Sequence, residues 1–116
     1  MADHHDDRAA AVRAAVDVFY ERVLADPSLS PWFEGVDMPR LHAHQRSFLV
    51  AALIGGDVYR GRGMSEAHRG LHIDDAAFDR TVEHLRVSLR QVGLPESTNE
   101  RLCSQVEPLR RLVVQA

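Results

Sequence analysis

Seven histidines, at positions 4, 5, 42, 44, 68, 72 and 84, are the side chains of this 116-residue chain best suited to bind a metal or move a proton. A neutral imidazole keeps one ring nitrogen free to donate its lone pair to a metal. His4 and His5 lie in a polar, acidic tail and read as solvated. His42 falls one residue off the apolar face of its predicted helix and His84 on the back of another, so both read as surface residues. His42 and His44, two apart, point in different directions on a helix and do not share an ion. His68 and His72 have the i,i+4 spacing of a zinc pair, but Gly70 interrupts their turn and no third ligand follows at a matching interval. His68 stands out for a different reason. It sits on a short predicted helical turn after a glycine-rich segment, with Met64 four residues before it. A lone histidine is more often a surface or satisfied residue than a ligand, so its surroundings decide. A single imidazole facing Tyr20, Gln45 and His44, set among Phe, Trp, Leu and Met side chains, suits a flat apolar cofactor with a metal at its centre.

Helices must position these groups. Val12, Val16, Phe19 and Val23 recur at intervals of three and four, predicting a helix from about Asp7 to Ala25 with Tyr20 at the edge of its apolar stripe. Asp26-Pro27 ends it, because the residue before proline is pushed out of the α region. A short turn from Leu29 to Phe33 carries two large aromatics. A second helix starts at Asp37-Met38-Pro39, with Asp37 as cap and proline in the first turn, and runs to about Ile54 before Gly55-Gly56. On it Leu41, His44, Gln45, Phe48 and Ala52 share one face, so polar residues lie in an apolar stripe. The stretch from Gly55 to Gly63 is too rich in glycine for a long regular helix. It is also long for a connection in a compact bundle, and such segments usually carry function. The turn Met64–Arg69 ends at Gly70. A third long helix is capped near Asp74-Asp75 and ends at Gly93, with Phe78, Val82, Leu85, Leu89 and Val92 as its stripe. The last opens after Pro95, where Ser97 and Glu100 have capping-box spacing, and Pro108 bends it. The fold class is all-α.

Composition narrows the function. The chain is 45% hydrophobic with a formal net charge of −3, ordinary for a soluble domain and not basic enough for nucleic acid or an anionic membrane. Residues 1–116 read as one domain, with residues 1–6 a frayed tail. The single cysteine, Cys103, has no partner and reads as a small buried or half-buried apolar residue of a late helix. Its solitude, and the lack of an apolar leader, point to the cytoplasm.

Several of these residues together resemble the group I truncated hemoglobins. Phe19-Tyr20-Glu21-Arg22-Val23-Leu24 is similar to the segment opening the family's distal pocket. Trp32-Phe33 looks like the aromatic pair closing the front of the heme. Ala43-His44-Gln45 and Phe48-Leu49 resemble the heme-facing distal helix, and Tyr59, Gly61, Met64 and Glu66-Ala67-His68 the approach to the proximal histidine. Phe78 matches the phenylalanine that begins the next heme-lining helix. The resemblance runs from about Val16 to Gly93. The chain departs from it in three places. Asp7-Arg8 stand where a glycine pair is usual, Leu41 occupies the distal gate, and Arg110 stands where some members carry a histidine that attaches heme covalently.

The resemblance implies a two-over-two globin fold, with a shortened N-terminal helix and a mostly non-helical segment before the proximal histidine. It implies non-covalent heme b with iron held by His68. His44 has three readings: a sixth iron ligand, a contact to a heme propionate, or a solvent-facing residue. Tyr20 and Gln45 would donate hydrogen bonds to bound gas, with Leu41 beside them. Phe33, Trp32, Phe48, Tyr59, Met64, Leu71, Ile73, Phe78, Val82 and Leu85 would line the heme, and Arg40 would meet a propionate. Arg62 defaults to a surface arginine. The leading function is reversible binding of dioxygen, nitric oxide and carbon monoxide, by a monomer or weak dimer. A second is nitric oxide dioxygenation, which needs a reductase partner. A third is a helical interaction module without heme.

Overall fold

The computed structural model describes residues 4–54 and 71–114; these are helical, with no strand among them. The elements are α1 (His4–Leu24), a 3-10 helix (Ser30–Phe33), α2 (Met38–Ile54), α3 (Asp75–Gln91), α4 (Glu96–Val106), a 3-10 turn (Glu107–Leu109) and a last helical turn, α5 (Arg110–Val113). α1 packs against both α2 and α3, and α4 against both α3 and α2, which gives the two-over-two arrangement. The glycine-rich segment and the turn bearing His68 lie outside the described residues, and so do Tyr59, Arg62 and Met64.

α1 starts at His4, earlier than its predicted start at Asp7. Neither glycine nor proline separates His4 from Asp7, so nothing in the sequence breaks the backbone there. Its stripe buries Val12, Val16 and Val23 completely, and Tyr20, predicted at the edge, is buried too. At the exit the Asp26 carbonyl accepts from Leu29 N (3.0 Å) and Ser30 N (2.8 Å), turning the chain into the 3-10 helix.

The Asp26 carboxylate itself faces inward. It accepts from Ser28 N (2.9 Å), Ser28 Oγ (2.7 Å), His84 Nε2 (2.8 Å) and Arg80 Nε, the last two both from α3. His84 is therefore not the surface residue predicted. Its side chain is 15% exposed, and its Nδ1 is buried with no partner among the described residues. A carboxylate cannot leave water unless donors replace the water, so α3 must present a basic pair where α1 ends.

The other helix ends are secured locally. Asp37 Oδ1 accepts from Arg40 N (3.2 Å) at the start of α2. At its far end Arg101 Nη2 donates to Leu53 O (2.7 Å) and Gln105 Nε2 to Ala52 O (2.9 Å), so α4 side chains satisfy carbonyls that α2 leaves open. Asp74 caps α3 by accepting from Ala77 N (2.8 Å). Gly93, at φ +86, closes α3 with bonds from Gly93 N to Arg90 O (2.9 Å) and from Leu94 N to Leu89 O (3.2 Å). The predicted Ser97–Glu100 capping box does not form: Pro95 is the N-cap of α4, without a side-chain cap, and Ser97 lies within the helix. Pro108 acts as predicted, turning the last helix into a 3-10 turn before α5. Cys103 is buried in the core, and burial pushes its thiol's pKa up.

The Asp26 anchor predicts a stability profile. Hydrogen bonds from His84, then Ser28 and Arg80, hold the Asp26 carboxyl well below the usual carboxylate range. A depressed carboxylate stabilises the fold fully above its unfolded value of about 3.9 and loses that contribution as pH falls through the folded value. Asp26→Asn should therefore lower the urea midpoint at pH 7 with little change in slope. Its deficit relative to the parent should shrink as pH is taken below ~4. Helical circular dichroism during urea titration checks both.

Candidate functional site

The helices do not close completely over one another. Between them lies a cleft of about 200 Å³, open in part to solvent. Each wall follows from a helical repeat. α1 contributes Val16, Phe19 and Tyr20, and α2 contributes Leu41, Gln45, Phe48 and Leu49, spaced to share one face. α3 adds Phe78, Thr81, Val82 and Leu85. Phe33 closes one side from the 3-10 helix, with Ile73 beside it, and Val106, Leu109 and Val113 form the floor. No charged side chain is among these lining residues. Thr81 adds little polarity, because its hydroxyl donates to Ala77 O (2.8 Å) within α3.

Tyr20 and Gln45 are the polar exceptions. Tyr20 is 3% exposed, and three rings hold its phenol. Phe19 meets it edge-on at 4.8 Å and Phe33 at 6.0 Å, while His42 stacks on its face at 4.6 Å with an interplanar angle of 28°. Burial pushes the Tyr20 ionisation above the usual phenol value, so at neutral pH the hydroxyl keeps its proton. Gln45 sits on α2, half-buried, and brings an amide to the same cleft.

The structure gathers Tyr20, Phe33, Leu41, Gln45, Phe48, Ile73, Phe78, Val82 and Leu85 around this one space. It does not bring the others there. His44 and Arg40 are exposed on α2, and Leu71 is 38% exposed. Trp32 is half-buried and lines a separate recess with Asp74, Asp79 and Glu83, its Nε1 donating to Leu71 O at 2.6 Å. Tyr59, Met64 and His68 lie outside the described residues. His72 is exposed, at φ +57, and swings the chain so that Ile73 reaches the cleft.

Sequence reasoning missed several contributors. Val106, Leu109 and Val113 are not among the expected heme-lining residues; their spacing of three and four along the last helix is the signal that could have found them. His42 is not the surface residue predicted: besides stacking on Tyr20, its Nδ1 lies 3.0 Å from Asp17 Oδ1. Arg110 lies over the Phe78 ring, 4.5 Å from its centroid. It donates to Glu107 Oε1 (2.8 Å), Asp75 Oδ1 (2.8 Å) and Asp79. These bonds, with Glu107 first, raise its pKa further and fix it as a clamp on the outside of the cleft wall.

Residues 8–115 match the bacterial-like globin family. The group 1 truncated hemoglobin of Tetrahymena pyriformis is 33% identical over 101 residues, 87% of this chain and 84% of that protein. The group 1 truncated hemoglobin of Synechocystis is 44% identical over 90 residues, 74% and 73% of the two chains. The chain belongs to the group 1 truncated hemoglobins.

Solved structures agree with this truncated hemoglobin's fold. The crystal structure of the Tetrahymena pyriformis truncated hemoglobin in its Fe(III) form matches with a TM-score of 0.81 at 29% identity, covering 97% of this chain and 98% of that one. The 2/2 hemoglobin of Synechococcus, in the cyanomet state with covalently attached heme, also gives 0.81, at 31% identity and 91% coverage of both chains.

The burial of Tyr20 has a direct optical consequence. In an alkaline titration followed by tyrosinate absorbance, one tyrosine should ionise above the ordinary value near 10, and Tyr20→Phe should remove that late step.

Proposed function

We propose that this truncated hemoglobin binds heme in the cleft between its helices, with His68 as axial ligand, and reversibly binds dioxygen and related diatomic gases. The observation that carries the reading is the cleft itself. Among the described residues its walls are aromatic and aliphatic, with Tyr20 and Gln45 bringing hydrogen-bonding groups to it. A flat apolar macrocycle needs such walls, and the opening to solvent suits its charged edge. Phe33, Phe48, Ile73, Phe78, Val82 and Leu85 would hold the macrocycle, and Tyr59 and Met64 would complete the enclosure. Heme iron supplies the reversible binding of the gas.

The chain's own residues govern how long a gas stays. Tyr20 keeps its proton because it is buried, so its hydroxyl is a donor throughout the neutral range. The amide of Gln45 is a second donor on the neighbouring helix. Leu41 offers only methyl groups where a polar side chain would compete for the same guest. With no charge among the described lining residues, each donated bond acts in a poorly screened environment. A hydrogen bond to a partly charged acceptor contributes about 1–3 kcal/mol, and ~1.4 kcal/mol is a factor of ten in dissociation. His44 and Arg40, exposed on α2, would meet the solvent edge of the cofactor rather than its centre.

Absorption spectra of the ferric, ferrous and carbonyl forms test the cofactor. Protein made with heme available should be red, and His68→Ala should lose the parent spectrum; an unchanged spectrum in that variant would remove His68 from the iron. Tyr20→Phe should speed dioxygen dissociation by roughly ten-fold or more in stopped-flow displacement, and Gln45→Leu by a smaller factor. Sustained consumption of nitric oxide with a supplied reductant would instead favour the dioxygenase reading.

A further inference from the structure

Asp17 sits on α1 one turn before Tyr20. Across from it on α2 stand His42 and Arg46, themselves one turn apart. The Asp17 carboxylate accepts from Arg46 Nη2 at 2.6 Å and faces His42 Nδ1 at 3.0 Å. The hydrogen bond with His42, supported by Arg46, holds the Asp17 carboxyl below the usual range, so it stays an acceptor and keeps the proton of His42 on Nδ1. The imidazole fixed in this way lies nearly parallel to the Tyr20 phenol at 4.6 Å. Phe19 and Phe33 touch that phenol only edge-on, so His42 supplies the flat contact against its face.

We propose that His42, oriented by Asp17 and Arg46, is the positioning residue that fixes the Tyr20 ring at the wall of the cleft. It touches no guest itself. It acts by limiting the tilt and rotation of the phenol, and a donor hydroxyl is effective only while its direction is held. Asp17 and Arg46 complete a latch across the α1–α2 seam. The link to gas retention rests on the donor role proposed for Tyr20; the hold on the ring does not.

Two readouts on the heme-loaded protein separate these. The first is fluorine NMR of protein labelled with 3-fluorotyrosine, the Tyr20 signal being identified by its loss in Tyr20→Phe. His42→Ala should shift and narrow the Tyr20 line as the ring gains freedom. His42→Phe, which keeps a flat ring, should restore a line close to the parent's, and Asp17→Asn should give a smaller change in the same direction as His42→Ala. The second is dioxygen dissociation, with the carbonyl stretching frequency in the infrared as companion. His42→Ala should speed dissociation by about three- to ten-fold and move the stretch toward that of Tyr20→Phe, with His42→Phe near the parent. In a Tyr20→Phe background, His42→Ala should add nothing.

An unmoved Tyr20 line in His42→Ala overturns the proposal, as does an equal kinetic effect with and without the tyrosine hydroxyl. If the line moves as expected while Tyr20→Phe leaves dissociation unchanged, the positioning role stands and the donor role is the one that fails.

Discussion

A carboxylate that leaves water must take its hydrogen-bond donors from protein, and Asp26 imposes that condition where α1 ends. Ser28 meets part of it from the adjoining turn, but the strong donors, Arg80 and His84, come from α3. Once those two side chains are committed to Asp26, the rotation of α3 about its own axis is set. Residues 78, 81, 82 and 85 then turn toward the cleft, and Leu89, further along, is fully buried in the core. The lining of the cleft from α3 thus follows from an ion pair outside it.

The same device recurs on the other side of α1. Arg80 and His84 are an arginine and a histidine one helical turn apart, and so are His42 and Arg46. Each pair converges on an α1-side carboxylate, Asp26 or Asp17. One junction is buried and the other partly exposed, with 4% of the Asp26 side chain accessible against 54% for Asp17. The buried junction has the larger hold on the fold, because exposed ion pairs are screened and weakly stabilising. The exposed one is better suited to trimming the orientation of a neighbouring ring.

Much of this architecture was legible in the residues. Apolar spacing located all four long helices, Asp37 and Asp74 declared their caps, and Gly93 and Pro108 declared a stop and a break. Those signals are local, involving backbone groups a few residues apart. Leu41, His44, Gln45, Phe48 and Ala52 were also recognisable as one face, since polar side chains in an apolar stripe are conspicuous; Leu41, Gln45 and Phe48 line the cleft, whereas His44 is exposed. His42 and His84 were misassigned because their partners are 25 and 58 positions distant. Helical phase alone put them off the apolar face, and tertiary packing covered that second face. The clue lay in the pairing: a histidine and an arginine on one helix face call for an acid from elsewhere. The capping box at Ser97 and Glu100 failed for the opposite reason, since a correct local pattern was pre-empted by Pro95, which set the helix start two residues earlier.

Trp32 is the only tryptophan in the chain, and its indole N–H is tied to the carbonyl of Leu71, 39 residues away. That bond joins the 3-10 helix to the stretch of backbone three residues beyond His68. The molecule thus carries a built-in fluorophore at the junction between this 3-10 helix and the backbone at Leu71. Loosening of that junction would change the polarity around the indole and shift its emission, with no label attached.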